Sequence, residues 1–108
     1  MPADQIRGHL DLLLLSVLKR GPAHGYLLIR SLATSSKGAF DVPEGTVYPA
    51  LHQLEANGLI ESVWDKSDGR RRRLYSLTPE GRAFLNERRA EWRRFSGSMN
   101  AVLEWSQR

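Results

Sequence analysis

Between residues 43 and 77 the hydrophobic period of the chain changes from helical to strand-like, and this change limits the fold more than any other feature. Val47, Leu51 and Leu54 recur at i, i+4 and i+7, which predicts a short amphipathic helix starting near Pro43. Proline suits a first helical position, and Glu44 sits where the helix dipole favours an acid. Pro49 has no N–H for the carbonyl of Gly45 and should kink the first turns. Asn57 and Gly58 close the helix. Leu59–Trp64 and Arg71–Leu77 then carry β-type residues on either side of Asp65-Lys66-Ser67-Asp68-Gly69-Arg70, the pattern of a hairpin with an extended loop.

The flanks are helical. Residues 4–20 read as a first helix, with Asp4 as N-cap and Ile6, Leu10, Leu13, Leu14, Val17 and Leu18 at helical spacing. Leu12 and Leu15 widen that stripe beyond one core contact, a first hint of a partner chain. Gly21 and Pro22 stop it. Residues 23–36 form a second helix with Tyr26, Leu28, Ile29, Leu32 and Ala33 as its apolar set. Thr78 caps a fourth helix with Pro79 at its first position.

That last helix carries a magnitude. From Pro79 to about Trp105 it spans about 40 Å at ~1.5 Å per residue, against a radius of gyration of ~13 Å for a compact domain of this size. Much of it must overhang its own core. Leu85, Trp92, Phe95, Met99 and Val102 follow an a/d pattern with Arg88 as its one polar member, so they form a seam for another chain. Gly97 marks either a break or a point of close helix contact.

The expected architecture is therefore mainly α with a small β-hairpin: a winged helix-turn-helix followed by a long C-terminal dimerisation helix. Residues 1–77 form the DNA-binding part and residues 78–108 the dimerisation helix, within one compact unit. A chain of 108 residues allows one domain and buries only about 60–65% of its unfolded surface, so pairing would stabilise it. The net charge of +4 suits an anionic partner. The absence of cysteine excludes disulfides, thiolate metal sites and cysteine nucleophiles. Leu12–Leu15 is too short to span a bilayer and Asp4 and Asp11 break any signal-peptide pattern, so a cytoplasmic protein without a membrane role is expected.

In such a fold the helix enters the major groove of double-stranded DNA and the cationic loop reaches the phosphates beside it. Arg70, Arg71, Arg72 and Arg73 repel one another at the turn, and folding gains nothing from that, whereas each neutralised phosphate releases counterions. Strand alternation puts Arg71 and Arg73 on the face opposite Arg72. The third helix offers Glu44, Gly45, Thr46, Tyr48, Pro49, His52 and Gln53 outside its inward stripe. Of these, Thr46, Tyr48 and His52 can donate to phosphates or base edges. Tyr48 also reads as a core aromatic with its hydroxyl at the surface. His9, His24 and His52 lie on three helices without metal-ligand spacing, and no phosphate loop or nucleophile elbow occurs, so neither cofactor, metal nor catalysis is expected. Arg88, Arg89, Arg93 and Arg94, interleaved with Glu87 and Glu91, read as a solvated helix face.

His24-Gly25-Tyr26, the run from Pro43 to Leu51, Leu54-Glu55, Gly58-Leu59-Ile60, Arg73-Leu74-Tyr75 and Leu77-Thr78-Pro79-Glu80-Gly81 together resemble the signature of PadR-type transcriptional regulators. The likeness runs from about Gly8 to Gly81. Leu74 departs from it, since an aromatic is common there. The single helix after the wing resembles the small PadR subfamily. That likeness implies a homodimeric repressor bound to a pseudo-palindromic operator, some members being sensors of small aromatic molecules. It also implies a phosphate contact for Tyr26, for which packing under the third helix is the competing reading. Trp92 stands where some small relatives place a tryptophan that stacks on planar ligands between subunits, and Gly8, His9 and Leu12 would line the same cleft. Dimer packing is the plain alternative for Trp92. A rival function is a winged-helix module for protein contact, its arginines gripping an acidic partner.

Overall fold

The computed structural model describes Ile6, residues 8–67 and residues 69–108. The elements run α1 (Leu10–Lys19), β1 (Ala23–His24), α2 (Gly25–Ser35), α3 (Glu44–Ala56), β2 (Ile60–Asp65), β3 (Arg72–Leu77) and α4 (Pro79–Trp105). The expected Asp4 cap lies outside the described residues, and the regular part of the first helix starts at Leu10. Pro43 is the N-cap of α3 in extended conformation, one position earlier than its composition suggests, and its carbonyl accepts from the N–H groups of Thr46 and Val47.

Helices α1 to α3, the first turns of α4 and the sheet enclose one core. Leu14, Leu15 and Leu18 of α1 meet Leu28 and Leu32 of α2, Val47, Leu51 and Leu54 of α3, and Ile60 and Tyr75 of the hairpin, all buried. Among the described residues, none of the buried ones is polar or charged. Tyr26 departs from the expected inner face of α2: it is 41% exposed, too open to be packed under α3.

The sheet has three strands, not two, in the order β1-β3-β2 and antiparallel throughout. Ala23 and His24, expected inside a helix, pair with Tyr75 and Leu74 of β3. This short strand fastens the start of α2 to the wing. At the other end of the hairpin, Gly58 takes a φ of 77° that turns the chain out of α3, and the Leu59 N–H closes onto the Leu54 carbonyl at 3.0 Å.

α4 is one helix of 27 residues, unbroken at Gly97. Thr78 caps it by accepting from the Gly81 N–H at 3.0 Å. Its first turns belong to the core, where Gly81 and Leu85 are buried. Leu85 therefore offers no surface to a partner, which corrects its place in the expected seam. Arg88 is no solvated cation either: its guanidinium meets the Asp11 carboxylate of α1 at 2.8 Å and pins the two helices together. Beyond that point α4 leaves the body. The radius of gyration is 15.7 Å and the longest extent 59 Å against 28 and 21 Å across, as an overhanging helix requires.

Candidate nucleic-acid interface

The hairpin register sets Trp64 opposite Arg73 and Asp65 opposite Arg72. Strand alternation then sorts the arginines. The guanidinium carbons of Arg71 and Arg73 lie 4.2 and 4.6 Å from the Trp64 ring centroid, so both stack against one indole. Arg72 faces the other way, 4.9 Å over the ring of Tyr26. Each such contact contributes about 0.5–1 kcal/mol at an exposed site and so offsets part of the repulsion between the arginines. Arg73 Nη1 also donates to Ser62 Oγ at 2.7 Å, and that hydroxyl donates to Glu55 Oε2 at 2.8 Å, which ties the wing to the end of α3.

Trp64 is the residue that sequence reasoning missed. Its sequence context is that of an ordinary strand aromatic, yet it is half-exposed and two cations stack on its ring. The signal that finds it is hairpin register: once Trp64 is placed opposite Arg73, Arg71 lies diagonal to it on the same face.

The other side of the wing root is held by His24. Its Nδ1 stands 3.1 Å from the Arg73 carbonyl oxygen, and its Nε2 stands 3.1 Å from Asp65 Oδ2. The imidazole also stacks nearly parallel on Tyr26, with 6.1 Å between centroids. The Asp65 carboxyl is held below the usual carboxylate range, chiefly by the Ser67 backbone N–H, which donates to Oδ1 at 3.0 Å. Asp65 is thus an anion throughout the neutral range.

On α3, Tyr48 and His52 open onto a cavity of about 280 Å³ that they share with Tyr26, Trp64, Arg71 and Arg72. Tyr48 has the half-buried ring that its reading as a core aromatic expects. Its half-buried ring covers Gly25, where a β-carbon would come within 2.5 Å of the ring atoms, so glycine is what lets the ring lie down. Tyr48 also lines the cavity that holds the wing cations. The rings of Tyr26, Tyr48 and Trp64, the imidazoles of His24 and His52 and the wing guanidinium groups so form one concave, cationic surface, suited to a phosphate backbone. Gly45, Thr46 and Pro49 lie elsewhere, along a groove of about 720 Å³ between α3 and the start of α4 that Gly8 also lines. Arg70 is exposed at the tip of the loop.

A second cavity, about 680 Å³, lies between α1 and α4. It brings together His9, Leu12 and Trp92, with Phe40 and Leu13 as its apolar wall, but not Gly8. The His9 ring meets Trp92 edge-on at 5.1 Å, and Phe95 extends the aromatic surface at 5.9 Å. Trp92, Phe95, Met99 and Val102, joined by Leu103 and Trp105, are exposed along the overhang. Among the described residues no cluster of three or more His, Cys, Asp or Glu side chains is placed to hold a metal ion, and no helix is long and apolar enough to cross a membrane.

Residues 14–87 match the transcriptional regulator PadR-like family. The structure of a transcriptional regulator from Clostridium thermocellum superposes with a TM-score of 0.84 at 31% identity, over 92% of this chain and 97% of that one. A PadR family regulator from Eggerthella lenta gives 0.81 at 37% identity, over 94% and 87%. The transcriptional regulator Rv3488 of Mycobacterium tuberculosis is 48% identical over 66 residues, 61% of this chain and 59% of its own. The chain belongs to the PadR-like family: it is a DNA-binding transcriptional regulator with a winged-helix fold, and the members of this family are regulators, not enzymes.

Proposed function

We propose that the protein is a homodimeric repressor of cytoplasmic transcription. Two copies of the unit would present two wings and two α3 helices to a pseudo-palindromic operator, with half-sites about 34–36 Å apart. Residues 1–77 form the DNA-binding part and residues 78–108 the dimerisation helix, whose first turns are shared with the core. Tyr26, Tyr48, His52 and Arg71 to Arg73 contact the backbone as one group. Gly45, Thr46 and Pro49 lie closest to the duplex at the start of α3, and Arg70 reaches the flanking phosphates from the loop tip.

The observation that carries this reading is the overhang of α4. Met99 is 48% and Val102 63% exposed on a helix stretch that touches no core of its own. A solvent-exposed apolar stripe of this length is stable when a second helix covers it. Replacing Met99 and Val102 together with glutamate should give a monomer in sedimentation equilibrium, and its affinity for an inverted repeat should fall at least about 100-fold as bivalency is lost. A dimer that survives would take the seam out of the assembly. Selection of duplexes from a random pool, followed by titration in rising salt, tests the regulator itself. Sequence-dependent binding that weakens steeply with salt supports it, and weak, sequence-blind binding points to a wing that grips an acidic protein instead.

The Trp92 cavity suits a flat aromatic effector, sandwiched where the two copies meet, with His9 and Leu12 beside it. Binding there would shift the spacing of the two α3 helices by no more than its differential affinity for the two states allows. Trp92→Ala should abolish the response to planar aromatic ligands and leave DNA affinity within about twofold, measured by competition binding on the operator. If the variant dimer falls apart, Trp92 serves packing alone.

A further inference from the structure

The wing root holds a feature that neither DNA contact nor folding alone accounts for. Both ring nitrogens of His24 face oxygen acceptors, the Arg73 carbonyl on Nδ1 and the Asp65 carboxylate on Nε2, each at 3.1 Å. A carbonyl oxygen can only accept. So can an ionised carboxylate. A neutral imidazole carries one N–H and leaves a lone pair facing one of the two oxygens. Only the imidazolium donates at both ends.

We infer that His24 is a positioning residue for DNA binding, and that its protonated form locks the wing arginines in their working pose. The lock is well placed. His24 belongs to β1 and caps α2, so it is anchored to the body of the protein. Its two partners flank the wing loop, Asp65 at the end of β2 and Arg73 near the start of β3. The same carboxylate is fastened by Ser67 on the loop itself, whose hydroxyl donates to Oδ2 at 3.1 Å. Through its ring face His24 also supports Tyr26, which carries Arg72.

The charged neighbours work in opposite directions. Asp65 favours the proton. Arg71, Arg72 and Arg73 line the cavity that His24 also borders, together with Tyr26, Tyr48 and His52 of α3, and their guanidinium charges oppose it. A phosphate backbone seated against those cations neutralises them and adds its own negative field. DNA binding and protonation of His24 therefore favour one another. The sign follows from this linkage. Affinity is highest where His24 is protonated and falls as rising pH removes that proton.

The inference rests on the wing being a DNA contact, and the experiment separates the two. The first measurement uses the free protein labelled with 15N histidine. The His24 ring should show both nitrogens protonated at pH 6, assigned by comparison with His24→Asn. A neutral ring there overturns the proposal whatever DNA does. The second measures operator affinity from pH 6 to 8 at constant ionic strength, where the wild type should lose about three- to tenfold. His24→Asn and Asp65→Asn should flatten that profile while His9→Asn, on the far cavity against Trp92, keeps it. If His24→Asn unfolds, Asp65→Asn still decides, because it removes the anionic acceptor and leaves the ring. A profile that survives in Asp65→Asn, or vanishes in His9→Asn, rejects the role of His24. A salt dependence unchanged on removing Arg71 and Arg73 would instead reject the wing contact on which the inference stands.

Discussion

Gly81→Ala should destabilise the protein by roughly 2–3 kcal/mol, even after the ~1 kcal/mol by which alanine favours a helix interior. A β-carbon built at Gly81 would lie 1.8 Å from the Leu59 carbonyl oxygen and 2.8 Å from its carbon. That oxygen is backbone and already employed, since it accepts the Thr78 N–H at 3.2 Å. Thr78 is fixed in turn by its own hydroxyl, which donates to the Gly58 carbonyl at 2.7 Å and accepts the Gly81 N–H. Nothing at this corner gives way without breaking the cap of α4 or the turn after α3. The measurement is thermal unfolding by circular dichroism at one fixed protein concentration, with a melting point lower by about 10 °C or more. Gly97→Ala is the internal control. It lies on the exposed part of the same helix, and a β-carbon there meets nothing within 4 Å in its own chain. It should raise stability by up to about 1 kcal/mol. If it lowers stability instead, Gly97 is a point of close approach to a second copy. An unchanged melting point for Gly81→Ala would mean that α4 does not start against Leu59.

The contrast between these two glycines shows what the sequence carries and what it does not. Helix α3 and the hairpin were legible because hydrophobic period and turn residues are local properties: Val47, Leu51 and Leu54 are all buried, and Trp64 and Asp65 pair across to β3 as a hairpin demands. The start of α4 was legible too, from the Thr78 cap, but its continuity was not, because Gly97 reads equally well as a break. The two-residue strand at Ala23–His24 was not. It has too few residues to show a period, and its pairing depends on β3, about 50 residues away. Leu85 failed for a different reason. A seven-residue repeat identifies a face of a helix, but it does not say whether that face meets the chain's own core or a partner, and the boundary falls between Leu85 and Trp92. The spacing of Tyr26 likewise reads as an inner position, whereas its ring stacks on His24 and carries the Arg72 guanidinium. For the candidate interface, residue types were readable and their grouping was not. The arginines, Tyr48 and His52 stood out by chemistry, but the cavity that unites them needs β1, β3 and α3 placed together.

Replacing Arg71 and Arg73 with alanine should weaken binding to every duplex, operator and scrambled alike, and flatten the salt dependence. Each phosphate contact contributes about 0.9 to the slope of log affinity against log salt, so losing one per arginine lowers its magnitude by about 1.8 per wing. Over a few-fold change in salt that is a loss of roughly ten- to a hundredfold in affinity at the low-salt end. The check is fluorescence anisotropy of labelled duplexes at four or five salt concentrations, and an unchanged slope removes the wing from the interface. Charge alone does not fix how well these cations are aimed. Both stack on Trp64, within 4.2 and 4.6 Å of its centroid, and that shelf limits the rotamers from which they must reach a phosphate. Long, freely rotating side chains surrender about 0.5–1.5 kcal/mol each when a partner immobilises them. A shelf that orders them beforehand reduces that loss. Trp64→Leu keeps the net charge and an apolar side chain in β2, yet removes the shelf. Its salt slope should match the wild type while its affinity falls about three- to tenfold, whereas Trp64→Phe should recover most of the difference because a ring face remains. The double arginine variant changes the slope and the tryptophan variant changes the offset. Together they separate the number of phosphates the wing neutralises from the order in which it holds its cations.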